Sequence, residues 1–239
     1  MSGQLYLLPC PISEAPALDA LPASTVETAR RIDHFLVEAA RTARATLKAM
    51  GHPKPIAELD IVEIGHDPAP ELISEWLQPV LDGADAAVLS ESGCPGVADP
   101  GAQIAARAHE LGIRVVPLTG PSSILLTLMA SGLDGQRFRF SGYLPKHDAE
   151  RRAAILAAEK ASRASETQLF IETPYRNTAL LDALLETLAP DTRLTVAIDV
   201  TGQNESIRTL TAAAWKAIPK AMRTLPKLPT VFAFLAKPG

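Results

Sequence analysis

The chain of 239 residues lacks the features that define several protein classes. It has two cysteines, Cys10 and Cys94, too few for a disulfide framework or a cysteine-based zinc site. No apolar run approaches the ~20 residues needed to cross a bilayer, and the N-terminus lacks the basic segment and long apolar run of a signal peptide. These absences predict a reduced, soluble, cytoplasmic protein that does not associate with a membrane.

Common motifs of nucleotide and nucleophile chemistry are also missing. The glycine-rich stretch from Gly93 to Gly101 does not follow the dinucleotide pattern G-x-G-x-x-G, and no phosphate-binding G-x-x-x-x-G-K-[ST] occurs. There is no G-x-S-x-G nucleophile elbow. The five histidines are widely separated without metal-ligand spacing, so no metal is expected. Metal-free chemistry with a bound organic cofactor remains open.

The charge of the chain is unevenly distributed. Residues 1–145 carry 10 Lys and Arg against 17 Asp and Glu, whereas residues 146–239 carry 13 against 10. A surface that binds a polyanion would therefore be local rather than global. Arg41, Arg44 and Lys48 share one face of an expected helix, and this face is either solvated or directed at phosphate.

Short apolar runs alternate with helix-forming segments along the chain. In the first half this alternation predicts a parallel sheet covered on both faces. The alternation resumes after the segment 118–135, which we expect to connect two domains. We therefore expect two α/β domains, 1–118 and 119–239. Strands are expected at 4–8, 32–38, 59–64, 86–89, 113–117, 137–142, 168–172, 193–199, 206–210 and 230–236. Helices are expected at 24–31, 40–50, 70–81, 101–111, 124–130, 149–162, 177–188 and 212–218.

The segment 90–101, SESGCPGVADPG, is the strongest candidate for a ligand loop. Its three glycines and two prolines disfavour a helix or strand, and it follows an expected strand, where α/β proteins usually bind ligands. Special or polar residues also follow other expected strands, so their convergence predicts one pocket. They are Pro9-Cys10-Pro11, Glu38, Ser122-Ser123, Glu172 and Asp199-Val200-Thr201. An ordinary glycine- and proline-rich connection is the alternative.

Five segments carry a resemblance to a known family. Segment 90–101 resembles S-D-A-G-x-P-x-x-x-D-P-G, and Cys10-Pro11-Ile12-Ser13 resembles T-P-I-G-N. Segments 119–123, 140–145 and 171–176 resemble P-G-P-x, F-x-G-F-L-P and Y-E-x-P-H-R. These are motifs of the tetrapyrrole methylase superfamily of S-adenosylmethionine-dependent methyltransferases. The branch that these motifs resemble methylates a ribose 2′-oxygen of a cytidine in 16S ribosomal RNA.

The resemblance implies an enzyme with two α/β domains, a cofactor cleft between them and a homodimeric assembly. It implies S-adenosylmethionine as the cofactor. In the first domain the implied cofactor contacts are Pro11, Ser92, Gly93, Cys94, Val97 and Ala98. At the junction and in the second domain they are Ser122, Ser123, Glu172, Val200, Pro229 and Thr230.

The methyl acceptor is expected to be ribosomal RNA or a small molecule. A ribose hydroxyl needs a base to take its proton, and Glu38, Glu172 and Glu205 are the candidates. Four residues are candidates for positioning a phosphate-bearing substrate: Arg41, Arg44, Tyr175 and Arg176. Gly202 stands where the RNA-methylating branch has a lysine. A methyltransferase of a tetrapyrrole or other small molecule, and a non-catalytic S-adenosylmethionine-binding protein, are therefore the alternatives.

Overall fold

A computed structural model describes residues 2–14 and 16–238. The chain divides into two compact units, Met1–Ser122 and Ser123–Gly239. This division falls four residues after the expected boundary. Each unit contains one five-stranded sheet with helices packed on it.

The sheet of the first unit is entirely parallel. Its strands are β1 (Gln4–Leu8), β2 (His34–Val37), β3 (Asp60–Glu63), β4 (Ala86–Leu89) and β5 (Arg114–Pro117). They are ordered β3-β2-β4-β1-β5, and every neighbouring pair runs parallel. The short apolar runs form these strands because both faces of the sheet are covered. The prediction of a parallel sheet is confirmed here.

The helices of the first unit depart from the expected pattern at two places, the unexpected α1 and the helix expected at 70–81. They are α1 (Ala17–Ala20), α2 (Ala23–Ala29), α3 (Ala40–Ala49), α4 (Pro70–Trp76), α5 (Gln78–Leu81) and α6 (Gly101–Glu110), with a 3-10 turn at Ile56–Glu58. The single helix expected at 70–81 is wrong, because the chain breaks at Leu77 before α5 begins. Pro79 explains the break, since proline lacks the N–H that would continue the first helix.

Two apolar layers cover the first sheet. Phe35 points into one layer with Leu8, Leu47 and Met50, and the neighbouring Leu36 belongs to the other layer. All of these side chains are fully buried. Side chains alternate along a strand, so β2 contributes to both layers. The loops lie at the ends of the strands.

The second unit has a mixed sheet. Its strands are β6 (Phe138–Tyr143), β7 (Thr167–Glu172), β8 (Arg193–Ile198), β9 (Ser206–Thr211) and β10 (Thr230–Leu235). They are ordered β6-β7-β10-β8-β9. Only β6 and β7 are parallel, whereas β10 runs antiparallel to both neighbours and β8 antiparallel to β9. The last strand of the chain is therefore the middle strand of this sheet.

Helices and aromatic residues complete the core of the second unit. The helices are α7 (Ser123–Ser131), α8 (Asp148–Ser162), α9 (Asn177–Thr187) and α10 (Ala212–Ala217), with a 3-10 turn at Lys220–Arg223. Phe170 and Phe234 stack with ring centroids 5.6 Å apart, and the Trp215 indole N–H donates to Leu194 O at 2.9 Å. No helix within residues 2–14 and 16–238 is both long and apolar enough to cross a membrane.

Candidate functional site

The loop at residues 90–101 joins β4 to α6 and is held by its own hydrogen bonds. Ser90 Oγ donates to Gly93 O at 2.9 Å, and both groups are buried. Asp99 Oδ1 accepts the N–H of Gly101 at 3.0 Å, at the start of α6. Gly93 has a φ of 74°, a conformation that glycine adopts without steric cost. The loop conformation is thus fixed by internal hydrogen bonds.

Three loops of the first unit meet at Gly93. The N–H of Cys10 donates to Gly93 O at 2.9 Å and the N–H of Gly93 donates back to Cys10 O at 3.2 Å. A Cβ on Gly93 would lie 3.3 Å from Ile12 Cγ2 and 3.6 Å from Pro121 O. The Cys94 thiol donates to Pro121 O at 3.4 Å. The carboxyl ends of β1, β4 and β5 therefore converge, as expected of a ligand site in an α/β protein.

Both cysteines lie in this convergence and both are protonated at neutral pH. Cys10 is buried and its thiol donates to Ser90 O at 2.9 Å. Burial, the largest cause, raises the pKa of the Cys10 thiol to about 12. Burial also raises the pKa of Cys94. Neither thiol is an activated nucleophile, because only the thiolate reacts efficiently.

The residues predicted to contact a cofactor in the first unit lie on these three loops. Gly93 is buried, Pro11, Cys94 and Ser122 are half-buried, and Ser92, Val97 and Ala98 are exposed. Val97 is 48% exposed although its loop is fixed. An apolar side chain held in solvent offers surface to an apolar group such as an adenine ring.

A titratable cluster that the sequence did not predict surrounds Glu38 at the end of β2. Glu38 Oε1 lies 2.9 Å from His66 Nδ1, and this hydrogen bond raises the pKa of His66. Burial raises the pKa of Asp99, and a hydrogen bond with Glu38 raises it further, although the N–H groups of Gly101 and Gly96 act in the opposite direction. Glu38 thus lies beside two groups whose pKa values are raised.

The first turn of α3 is anchored next to this cluster. Glu63 Oε2 accepts the first N–H of the helix at 2.8 Å, and Thr42 Oγ1 donates to Glu91 Oε1 at 2.9 Å. The second contact joins α3 to the 90–101 loop. Arg41 and Arg44, predicted as substrate contacts, have exposed side chains on this helix.

Predicted residues of the second unit lie at one end of its sheet. Thr230 pairs with Glu172 on one side and with the last residue of β8 on the other. The N–H of Asp199 donates to Pro229 O at 2.8 Å. Glu172, Val200 and Thr230 are buried, Ser123 is half-buried and Pro229 is exposed. The antiparallel direction of β10 is what brings its first residue to the end of β7.

The two carboxylates predicted as bases in the second unit both accept backbone hydrogen bonds. Glu172 Oε1 accepts the N–H of Thr173 at 2.7 Å, and Glu205 Oε2 accepts the N–H of Thr201 at 2.7 Å. Glu172 Oε2 lies 3.0 Å from Arg176 Nη2, an ion-pair distance. No N–H is aligned with this oxygen, so it is a buried acceptor without a hydrogen bond.

The turn between β7 and α9 leads into one further residue that the sequence did not single out, at the first position of α9. Asn177 is fully buried, and its Nδ2 donates to Leu228 O at 2.8 Å and to Thr230 Oγ1 at 2.9 Å. It thereby ties the turn to the start of β10. Tyr175 in the same turn is 81% exposed, and Lys227 Nζ lies 5.1 Å from the centroid of its ring.

A comparison with known protein families identifies the family of this chain. The model of the family described as Tetrapyrrole (Corrin/Porphyrin) Methylases matches residues 17–215. The chain belongs to the tetrapyrrole methylase family. Members of this family are methyltransferases that use S-adenosylmethionine as the methyl donor. The resemblance inferred from the sequence motifs is confirmed.

Several relatives match most of the chain. A protein of Mesorhizobium japonicum is 33% identical over 210 residues, covering 88% of this chain and 68% of its own length. A Vibrio cholerae protein is 30% identical over 205 residues, and one from Neisseria meningitidis serogroup B is 29% identical over 201. They cover 85% and 84% of this chain, and 67% and 65% of their own lengths. All three are named ribosomal RNA small subunit methyltransferase I.

Two solved methyltransferases share the fold. Uroporphyrin-III-C-methyltransferase from Thermus thermophilus aligns with a TM-score of 0.57 and 18% identity, over 98% of this chain and 93% of its own. The methyltransferase CobJ aligns with a TM-score of 0.63 and 16% identity, over 98% and 95%. The prediction of an α/β, tetrapyrrole methylase-like fold is thus confirmed.

Proposed function

We propose that this tetrapyrrole methylase transfers the methyl group of S-adenosylmethionine to ribosomal RNA, at the ribose 2′-oxygen of a cytidine. The observation that carries the proposal is the match to relatives named for small-subunit ribosomal RNA, at 29–33% identity over 84–88% of the chain. The chain spans about two thirds of the length of these relatives. The convergence of three loops at Gly93 supports the cofactor part of the proposal.

The residues present fit such a cofactor. Gly93 lacks a Cβ and has a positive φ, so its backbone can be approached closely. Glu172 Oε2 is buried and lies 3.0 Å from the Arg176 guanidinium without an aligned N–H, and S-adenosylmethionine carries ammonium and hydroxyl donors. In the first unit we assign the contacts to Pro11, Ser92, Gly93, Cys94, Val97, Ala98 and Ser122. In the second we assign them to Ser123, Glu172, Val200, Pro229 and Thr230.

Glu38 is the base that we propose. When bound, the cofactor supplies an electrophilic methyl group on a sulfonium. Transfer of that methyl group to a ribose oxygen would require the hydroxyl proton to leave, and Glu38 would accept it. Glu38 lies beside His66 and Asp99, either of which can exchange a proton with it. Glu172 and Glu205 suit the role less, because each already accepts a backbone N–H at 2.7 Å.

Methyl transfer to 30S subunits is the direct test. Subunits from a strain lacking the modification are incubated with the purified protein and methyl-labelled S-adenosylmethionine, and the labelled nucleotide is identified by nuclease digestion and mass spectrometry. We expect a single 2′-O-methylcytidine in 16S RNA. Label in the base, or no label in the RNA, would contradict the proposed acceptor.

Glutamine variants separate the three carboxylates. We expect Glu38→Gln to lower kcat by about 100-fold or more, the typical contribution of a general base, with cofactor affinity within about twofold of the wild type. Glu205→Gln is the matched control and should retain kcat. Glu172→Gln should weaken cofactor binding instead. An unchanged kcat in Glu38→Gln would remove that residue from the mechanism.

Assays of the same purified protein distinguish two other functions. Gly202 lies where the RNA-methylating branch has lysine, which favours a tetrapyrrole or other small molecule as acceptor, and uroporphyrinogen III is the substrate to assay in parallel. A non-catalytic cofactor-binding protein would bind S-adenosylmethionine in a calorimeter and methylate neither acceptor. The homodimer and the cytoplasmic location are also part of the proposal. Sedimentation velocity tests the first and cell fractionation the second.

A further inference from the structure

The segment from Pro219 to Pro229, here called the basic strap, joins α10 to β10. Its sequence is PKAMRTLPKLP, which contains three cations, Lys220, Arg223 and Lys227, and no carboxylate. The chain as a whole has a net charge of −4. A cationic segment in an anionic protein is a local feature that needs a local explanation.

The basic strap is fastened to α9 rather than extending freely. The N–H of Leu225 donates to Thr178 Oγ1 at 3.0 Å, and Leu228 O accepts from Asn177. Lys220 Nζ lies 3.2 Å and Arg223 Nη1 3.9 Å from the carboxylate of Asp182. The strap therefore presents its side chains from fixed positions.

Tyr175 and Lys227 form an exposed pair beside the strap. Lys227 Nζ lies 5.1 Å from the centroid of the Tyr175 ring, within cation–π distance. Tyr175 is nevertheless 81% exposed, so the ring contributes little to the core of the unit. A large aromatic ring that is held in place and left in water can stack with another planar group.

The cations of the basic strap and Arg176 outnumber the carboxylates that they pair with. Asp182 faces two cations of the strap, and the buried Glu172 faces Arg176. Four cations thus accompany two carboxylates, and Lys227 contacts a ring rather than a carboxylate. A fixed cationic surface next to an open aromatic ring is the combination that binds single-stranded nucleic acid.

We propose that the basic strap and Tyr175 form the surface that holds a single-stranded segment of the RNA substrate, with a nucleobase stacked on Tyr175 and a phosphate near Lys227. The proposal rests on the proposed function, because it names where that substrate binds. An acidic peptide would satisfy the cations but would leave the exposed ring unused, so RNA fits both features.

Binding of a labelled single-stranded RNA of about twelve nucleotides, a length within the usual site size, tests the surface. Fluorescence anisotropy is measured from about 50 to about 200 mM KCl, a range over which phosphate contacts weaken strongly. Tyr175→Ala should weaken binding by about 5- to 100-fold, the effect of losing one stacked base. Tyr175→Phe should restore most of it. Lys227→Gln should reduce the slope of log K against log salt by about 0.7, one phosphate contact.

Lys160→Gln is the matched control, since it removes one exposed positive charge from α8, outside the strap. It should leave both the affinity and the salt slope at the wild-type values. Equal effects of Lys160→Gln and Lys227→Gln, or wild-type affinity in Tyr175→Ala, would overturn the proposed surface. So would a wild-type protein that binds poly-glutamate but not the RNA. Failure of the 30S methylation assay alone, with the RNA affinities behaving as expected, would overturn the proposed function and leave the surface standing.

Discussion

The carboxylate of Asp199 occupies the space where a side chain at Gly202 would begin. A Cβ on Gly202 would lie 2.1 Å from Asp199 Oδ1 and 2.2 Å from its Cγ. Asp199 is held there because its Oδ2 accepts the N–H of Asn204 at 2.9 Å, while its carbonyl oxygen accepts the N–H of Gly202 at 2.7 Å. The turn after β8 is therefore built for glycine at position 202, where the motif resemblance leads us to expect lysine.

Substitution of Gly202 should consequently be costly, and the cost should depend on Asp199. We expect Gly202→Ala to lower the free energy of unfolding by about 1–3 kcal/mol, since the carboxylate must move and lose its hydrogen bond. In an Asp199→Gly background most of this penalty should vanish. Urea unfolding of the wild type, the two single variants and the double variant gives the interaction energy between positions 199 and 202. An equal penalty in both backgrounds would mean that the carboxylate is not the obstacle.

A second prediction separates backbone strain from crowding at the convergence of the three loops. Gly93 and Gly112 have φ values of 74° and 70°, but only Gly93 has atoms within 4 Å of a Cβ. Alanine at either position should lower the free energy of unfolding by about 1–2 kcal/mol, the cost of the left-handed conformation. Only Gly93→Ala should also weaken S-adenosylmethionine binding, by about tenfold or 1.4 kcal/mol.

Calorimetric titration of both variants with the cofactor provides the measurement. Gly112 lies in the turn before β5 and has no predicted contact with the cofactor, so its variant reports the effect of strain alone. Equal affinities in the two variants would show that Gly93 has no special role in binding.

The third prediction concerns the pH dependence of stability. The pKa of Asp99 is raised above its ordinary 3.8, mainly by burial, so the folded protein binds this proton more tightly than the unfolded chain. The resulting stabilisation is fully present below pH 3.8 and is lost as the pH rises through the folded pKa. Asp99→Asn cannot ionise and keeps an oxygen that accepts the N–H groups of the loop. Its stability relative to the wild type should therefore increase with pH.

Urea unfolding between about pH 4 and about pH 8 measures this difference, over the range in which a raised carboxyl pKa acts. Asp19→Asn, at an exposed position on α1, is the control for loss of one negative charge. If the wild type and Asp99→Asn keep a constant difference across the range, Asp99 does not carry the extra proton.

Much of the fold was accessible from the sequence because buried strands are short apolar runs. The expected strand at 86–89 matches β4, and the expected helix at 40–50 differs from α3 by one residue. Strand direction in the second unit was less accessible, because apolar periodicity does not encode it. One signal was present: the connection from β8 to β9 is shorter than the dozen or more residues of a parallel crossover.

Some features of the candidate site were likewise predictable from the sequence and others were not. The 90–101 loop was recognisable because its glycines and prolines follow an apolar run. The contact between Glu38 and Asp99 was not, because it depends on β2 and β4 being neighbours in the sheet. Nothing local marks Asp99 as a partner of a residue 61 positions earlier. Asn177 was missed for a similar reason, since its partners Leu228 and Thr230 lie 51 and 53 residues later, at the start of the last strand.

The position of β10 has a consequence for the order in which the chain is synthesised. All five strands of the first sheet have left the ribosome once Pro117 has emerged. The second sheet stays divided into β6-β7 and β8-β9 until Thr230–Leu235 arrives between them. At about 5–20 residues per second, the edge of β7 waits a few seconds or more for its neighbour. During that interval the open edges of β7 and β8 are the part of the nascent second unit most exposed to pairing with other chains.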